Sequence, residues 1–422
     1  MKILWLKTEL LHPVDKGGKI RTYEMLKQLK REHHITYLTL DDGTASPDAY
    51  KRAKEYCHKL VCVPHHTKAK FSPGFYLDLF FNLFSPLPYA VKKYESLEMR
   101  RQITEILESD IPDVVICDFL SPSVNVPEQL PCATILFQHN VEAMIWQRHF
   151  ETQSNWLKRI YLYNQWRKMH LFEQAECRRY DKVIAVSSED KELMERDYEL
   201  KSVADVPTGV DTEYFRPNPE AIKKPTRLVF TGSMDWIPNV DAIRYFCQQI
   251  LPIVRDQIPN VTLTVVGRNP SRDLIELSRK DPAITITGRV EDVRPYMDSA
   301  TAYIVPIRIG GGTRLKIYEA MAMEKPIVST TVGAEGLPVN NGEELLIADT
   351  PQSFADAVIR ILSDEVFSRE LGQSAAAAVR ARFGWDRVAE QFTEICRQAT
   401  RQRVSESTKD RDRDILPTAA EA

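Results

Sequence analysis

The chain has 422 residues, 27% of them charged and 43% hydrophobic, with a net charge of −3. That length exceeds one ordinary core and predicts two or three domains, while the near-neutral balance gives no support to a nucleic-acid partner. Seven cysteines lie scattered, several of them inside apolar runs, which predicts buried free thiols in a reducing cytoplasm and no disulfide or zinc site.

The N-terminal apolar run is broken by Lys7 and Glu9 and is too short for a signal peptide. No stretch reaches the about 18 apolar residues of a membrane span. Short Val/Ile/Leu-rich runs recur along the chain with helix-like segments between them. The first six are Lys2–Leu6, Ile35–Leu40, Lys59–Val63, Asp113–Asp118, Ala133–His139 and Lys182–Ser187. Six more follow: Arg227–Gly232, Val261–Gly267, Ile284–Gly288, Ala302–Pro306, Pro326–Thr330 and Glu344–Ala348. Most are nearly continuous in apolar residues, as strands buried on both faces of a parallel sheet are. The expected class is α/β, with two doubly wound Rossmann-like domains facing a central cleft. The proline- and glycine-bearing stretch Pro207–Pro217 marks the boundary. This gives domains 1–206 and 207–382, a helix over 383–400 with Asp386 as its N-cap, and a charged, apolar-poor tail 401–422 expected to be disordered.

The first run leads into Gly17 and Gly18, where a helix should start with Ile20, Tyr23, Leu26 and Leu29 as its buried stripe. The pair fits neither a P-loop nor a dinucleotide fingerprint. It reads equally as a plain turn or as a close approach for a diphosphate or a sugar. Residues 71–89 carry eleven aromatic or leucine side chains, flanked by Lys68, Lys70, Lys92 and Lys93. They are expected to form a helical hairpin packed on its own domain. The alternative is a peripheral membrane contact through 71–93, sharing a surface with the aromatic and basic run Trp146–Trp166.

His139 ends the fifth run, where a polar side chain would face a ligand at the carboxyl end of the sheet. Gly232 and Ser233 stand at the mouth of the first strand of the second half, followed by Asp235 and Asn239 as candidate helix caps. Gly288, Arg289 and Val290 follow the third strand there, and a short loop at that point could hold a nucleobase. Arg289 has two readings, a phosphate contact or a pair with Glu291 or Asp292.

The densest signal is the stretch from Ile309 to Ala322, which reads Ile-Gly-Gly-Gly-Thr-Arg-Leu-Lys-Ile-Tyr-Glu-Ala-Met-Ala. It is a strand exit, a bare loop and a helix start. Glycines 310, 311 and 312 with Thr313 let phosphates reach the backbone, and a helix N-terminus favours negative charge. Cations are unfavourable in a first helical turn, so Arg314 and Lys316 point to an anion. Glu319 stands about one turn on, suited to sugar hydroxyls. Together these residues predict a nucleotide-sugar site.

These motifs resemble family 4 of the retaining glycosyltransferases, which have the GT-B fold. The resemblance covers most of residues 1–397 through Gly17-Gly18, His139, Val206–Pro217, Gly288–Val290 and the glycine loop running into Tyr318–Ala322. It is similar to the subgroup with a Gly-Gly-Gly-Thr-Arg-Leu-Lys loop found with polysaccharide or exosortase-linked clusters. The resemblance implies an acceptor-side first domain, a donor-binding second domain, and a last helix that crosses back to the first. It also implies sugar transfer from a nucleoside diphosphate sugar to a glycan or lipid-linked acceptor, with no obligatory metal. Candidate catalytic residues are His139, Arg314, Lys316 and Glu319. Candidate donor-binding residues are Gly17, Gly18, Gly232, Ser233, Gly288, Arg289, Val290, Gly311, Gly312 and Thr313. Two departures stand out. Gly311 occupies the place of the first glutamate of the family's paired-glutamate motif, and Ser233–Trp236 lacks the usual Arg/Lys pair. Two other readings stay open: a sugar-nucleotide epimerase or phosphorylase on this fold, and a non-catalytic sugar-nucleotide-binding protein. The expected location is the cytoplasm, on or near the inner face of the membrane.

Overall fold

The computed structural model describes residues 1–222, 224–309 and 315–415, the last ten by backbone alone. The chain divides into two compact units. Unit 1 comprises Met1–Pro207 together with the chain from Ala389 onward, and unit 2 comprises Thr208–Val388.

Unit 1 is built on a parallel sheet of seven strands: β1 (Lys2–Lys7), β2 (His34–Asp41), β3 (Lys59–Pro64), β4 (Val114–Asp118), β5 (Ala133–Phe137), β6 (Lys182–Ala185) and β7 (Val203–Asp205). Their order is β3-β2-β1-β4-β5-β6-β7. Ile3 of β1 lies alongside Ile35 of β2 on one side and Val114 of β4 on the other. All five residues of β4 and all five of β5 are buried, and their sequences are apolar apart from Asp118 and Thr134. Strand β7 was not legible in the sequence, because three residues at a sheet edge carry no apolar run.

The chain runs outward from β1 through β2 to β3, then returns to lay β4 on the other side of β1. The carboxyl ends of β1 and β4 therefore form the topological switch point, where open α/β sheets bind their ligands. Helix α1 (Gly17–Leu29) follows β1, starting at the glycine pair. Its buried face is Lys19, Thr22, Met25, Leu26 and Leu29, so the expected stripe through Ile20 and Tyr23 is turned by one residue. The reason is Thr22, which faces inward to join a polar network described below.

Helix α2 (Pro73–Asn82) starts at Ser72, whose side chain accepts the Phe75 N–H. The expected hairpin packed on its own domain is corrected here. Asn82 is the one buried residue of α2, while Phe71, Tyr76, Leu77, Phe80, Phe81 and Phe84 are all exposed. Two further helices, α3 (Glu142–Thr152) and α4 (Trp156–Arg179), follow β5.

Unit 2 holds six parallel strands: β8 (Arg227–Thr231), β9 (Thr262–Val266), β10 (Ile284–Ile286), β11 (Ala302–Val305), β12 (Ile327–Ser329) and β13 (Leu346–Ile347). Their order β10-β9-β8-β11-β12-β13 repeats the winding of unit 1, with its switch point between β8 and β11. Helix α5 (Ile237–Tyr245) follows β8, and helix α6 (Leu315–Ala322) follows β11.

The last helix, α7, runs from Trp385 to Ile415. Asp386 lies in its first turn rather than at its cap. Its Phe392 ring lies 5.7 Å from Trp5 and 5.2 Å from Phe137, and Thr393 Oγ1 lies 3.2 Å from His33 Nε2. The expectation of disorder from 401 is corrected for 401–415, which continue this helix. Arg403 donates to the Leu130 carbonyl at 2.9 Å. Residues 416–422 lie outside the described residues. Among the described residues, no helix is long and apolar enough to cross a membrane.

Candidate functional site

At the switch point of unit 1, the last residues of β1 and β4 are Lys7 and Asp118. Each closes the apolar run of its strand, and each is buried, at 2% and 0% exposure. Their charges meet at 2.8 Å. The same carboxylate oxygen, Oδ2, accepts from Trp5 Nε1 at 2.9 Å and from Thr22 Oγ1 at 2.6 Å. The other oxygen lies 2.6 Å from His139 Nε2. Burial alone would disfavour ionisation, but Lys7 and His139 hold the Asp118 carboxyl well below the usual carboxylate range. Burial also lowers the Lys7 ammonium, with Asp118 acting against that shift.

His139 is itself buried, two residues past β5, and stacks on Phe119 with ring centroids 3.8 Å apart. Burial pushes its pKa down to about 3, so the imidazole is neutral at physiological pH. Its Nδ1 has no partner among the described residues. A buried unpaired ring nitrogen is costly and points to a missing polar group. Across Phe119 stands Gly18. A Cβ there would meet Phe119 Cζ at 2.8 Å, so the glycine is needed for this ring to pack. Gly17, in contrast, has nothing within 4 Å of where its Cβ would be. The structure thus brings Gly18, Phe119 and His139 together. The sequence did not single out Lys7, Asp118 or Thr22. Their signal was present all the same: a charged residue closing the apolar run of a strand.

The loop carrying His139 is held from behind by Glu173 of α4. This fully buried carboxylate accepts the N–H groups of Glu142 at 2.9 Å and Ala143 at 2.8 Å, at the start of α3. It also accepts from Tyr198 Oη at 2.7 Å and Gln138 Nε2 at 3.1 Å. Burial pushes its pKa up to about 7.

In unit 2, the switch point lies between Thr231–Ser233, at the end of β8, and the loop that follows β11. Gly232 has φ 153°, and a Cβ there would lie 2.6 Å from Lys316 Nζ and 2.7 Å from Asn239 Nδ2. Lys316 Nζ reaches Asn239 Oδ1 at 2.9 Å and sits 4.1 Å from the Phe230 ring centroid. Asn239 also donates to the Ser233 carbonyl at 2.8 Å. Neither Asn239 nor Asp235 caps α5, whose N-cap residue Trp236 makes no side-chain bond to the helix. Asp235 instead accepts from Ser233 Oγ at 2.6 Å, and Ser233 Oγ accepts from Arg268 Nε at 3.0 Å. Arg268 follows β9 and is a cation at this mouth that the sequence reading missed.

Glu319 lies on α6, partly buried. Burial pushes its carboxyl up to about 7, with Lys316 pulling the other way. Gly311, Gly312, Thr313 and Arg314 lie outside the described residues. Gly288 follows the edge strand β10 at φ 72°, with open space beside it. Val290 packs on the core of unit 2. Asp292, offered as a partner for exposed Arg289, pairs with Arg294 at 2.6 Å instead. No described contact joins the 288–290 segment to the Gly232–Lys316 cluster.

Residues 16–214 match the family described as Glycosyltransferase Family 4, and residues 225–364 match Glycosyl transferases group 1. An uncharacterized 44.6 kDa protein in the cps region of Klebsiella pneumoniae is 22% identical over 396 residues, 90% of this chain and 96% of that protein. Among solved structures, sucrose-phosphate synthase from Thermosynechococcus elongatus superposes with a TM-score of 0.67 at 19% identity, over 94% of this chain and 98% of that one. Anabaena HepE, solved in complex with UDP, superposes with a TM-score of 0.65 at 13% identity, over 94% and 100%. With two parallel Rossmann-like sheets and a matching domain on each, the chain is a glycosyltransferase family 4-like protein of the GT-B fold.

Proposed function

We propose that this protein transfers a sugar, with retained anomeric configuration, from a nucleoside diphosphate sugar to a glycan or lipid-linked acceptor. The setting is polysaccharide or glycoconjugate biosynthesis in the cytoplasm. The observation that carries this reading is the unit 2 switch point. Lys316 stands there beside Gly232, whose φ of 153° strains any side chain, shortly after Gly310–Thr313 in the sequence. HepE, which shares the fold, has been solved with UDP.

In the proposed reaction, the Gly310–Thr313 backbone, Arg314 and Lys316 stabilise the leaving diphosphate. Preorganised electrostatics of this kind is often the largest catalytic contribution. Gly232, Ser233, Gly288, Arg289 and Val290 line the nucleotide side, and Glu319 bonds the ribose. Gly17, Gly18 and the unpaired His139 Nδ1 serve the sugar and the acceptor. The anomeric carbon's bond to the phosphate oxygen breaks as the acceptor oxygen bonds to that carbon on the same face. The acceptor's proton passes to the leaving diphosphate, so no protein base and no obligatory metal is required.

The test begins with a thermal-shift panel of nucleoside diphosphates and their sugars, since a ligand that binds only the folded state raises Tm. One nucleotide sugar is expected to shift Tm selectively. With an acceptor it should then give product of unchanged anomeric configuration, insensitive to EDTA. Arg314→Ala is expected to lower kcat/KM by roughly 10²–10³, and an unchanged value refutes the assigned role. A second reading, nucleotide-sugar binding without turnover, is favoured by Gly311, where the family carries a glutamate. A shift without product under any acceptor would establish it.

A further inference from the structure

Unit 1 exposes apolar side chains in one region far more than elsewhere. Of the 21 large hydrophobic residues exposed among the described residues, 12 lie within 71–84 and 156–171. On and around α2 they include Phe71, Phe80, Phe81 and Phe84, the last at 80% exposure. On α4 they include Trp156 and Ile160. The two helices are tied together. Gln165 Nε2 donates to Asn82 Oδ1 at 2.9 Å, and Lys168 Nζ donates to the Asn82 carbonyl at 2.6 Å. Polar contacts thus fix the carboxyl end of α2 against α4 and leave its aromatic side chains to solvent. A monomeric soluble surface seldom concentrates aromatics in this way without a partner.

The charge around these side chains identifies the partner. Residues 68–93 and 156–171 hold eight Lys or Arg and one acidic residue, Asp78, in a chain whose net charge is −3. Asp78 is paired with Lys68 at 2.6 Å. A second copy of this chain fits poorly, since a two-fold interface sets the same patch against itself and brings like charges together. We propose that this surface of α2 and α4 docks on an anionic lipid bilayer. The aromatics enter the headgroup boundary, and the lysines and arginines meet lipid phosphates. The proposal is independent of the transfer reaction, and its readout needs no nucleotide sugar.

The test is co-sedimentation of the full chain with vesicles of phosphatidylcholine alone and of phosphatidylcholine with phosphatidylglycerol. Binding to the anionic vesicles only, weakened by salt, is expected. A Lys158→Glu/Arg159→Glu variant should bind them at least roughly thirtyfold more weakly, from the loss of two charges near the surface. Phe80→Glu/Phe81→Glu should abolish binding while keeping the wild-type circular dichroism and urea midpoint, since both rings are exposed. Absence of vesicle binding, equal binding to neutral and anionic vesicles, or binding unaffected by either variant overturns the proposal. So does a dimer in sedimentation velocity that Phe80→Glu/Phe81→Glu dissociates while vesicles are ignored, which assigns the surface to self-association.

Discussion

Replacing Asp118 with Asn keeps the shape of the side chain and removes its charge. Lys7, 2% exposed and 2.8 Å away, then becomes a buried cation without its counter-ion. Breaking a buried pair by removing one partner costs about 3–5 kcal/mol, because the remaining charge has already lost its water. Lys7→Met is expected to cost as much at pH 8. It should cost as much at pH 5, because burial holds the His139 imidazole down at a pKa of about 3 and so neutral at both pH values. The double variant Lys7→Met/Asp118→Asn leaves no isolated charge, so it should be less destabilised than the sum of the two by about 2–3 kcal/mol. In the wild type, Asp118 titrates below the ordinary carboxylate range. Its stabilisation is therefore present at neutral pH and is lost only in strong acid. Urea unfolding of all four proteins at both pH values measures these terms. Single variants within about 1 kcal/mol of wild type, or strict additivity, would refute the reading of this network as a coupled buried pair.

Two further outcomes follow from the same geometry. Glu173 has a folded pKa near 7, above the unfolded value of about 4.3. The folded state therefore binds the extra proton, and stability should fall as pH rises through that interval, by up to about 4 kcal/mol. Glu173→Gln should flatten that slope, and an unchanged slope in urea midpoints between pH 5 and 8 would assign it to another group. Gly232→Ala puts a methyl at φ 153° and 2.6 Å from Lys316 Nζ. It should destabilise unit 2 by roughly 1–3 kcal/mol and weaken any nucleotide-dependent Tm shift, as differential scanning fluorimetry would show.

The sequence by itself determined the winding. Twelve of the thirteen strands among the described residues stand out as apolar runs, because a parallel sheet covered on both faces admits little else along its strands. The glycine pair opening α1 and the helix that becomes α6 were equally legible, since both are local features of the sequence after a strand. What the sequence could not decide was where polar side chains point. Thr22 turns α1 by one residue because Asp118, 96 positions away, accepts its hydroxyl at 2.6 Å. Lys7 reads as an interruption of an apolar run until the winding sets β4 beside β1 and supplies its counter-ion. Asn239 reads as a helix cap until the loop after β8 brings it to Lys316. Phe71–Phe84 read as core by composition, yet the fold leaves them outside. Apolar periodicity is a local property and survives in one dimension. The pairing of buried charges, and the choice of which apolar face goes uncovered, depend on residues that only the folded chain brings within a few ångströms.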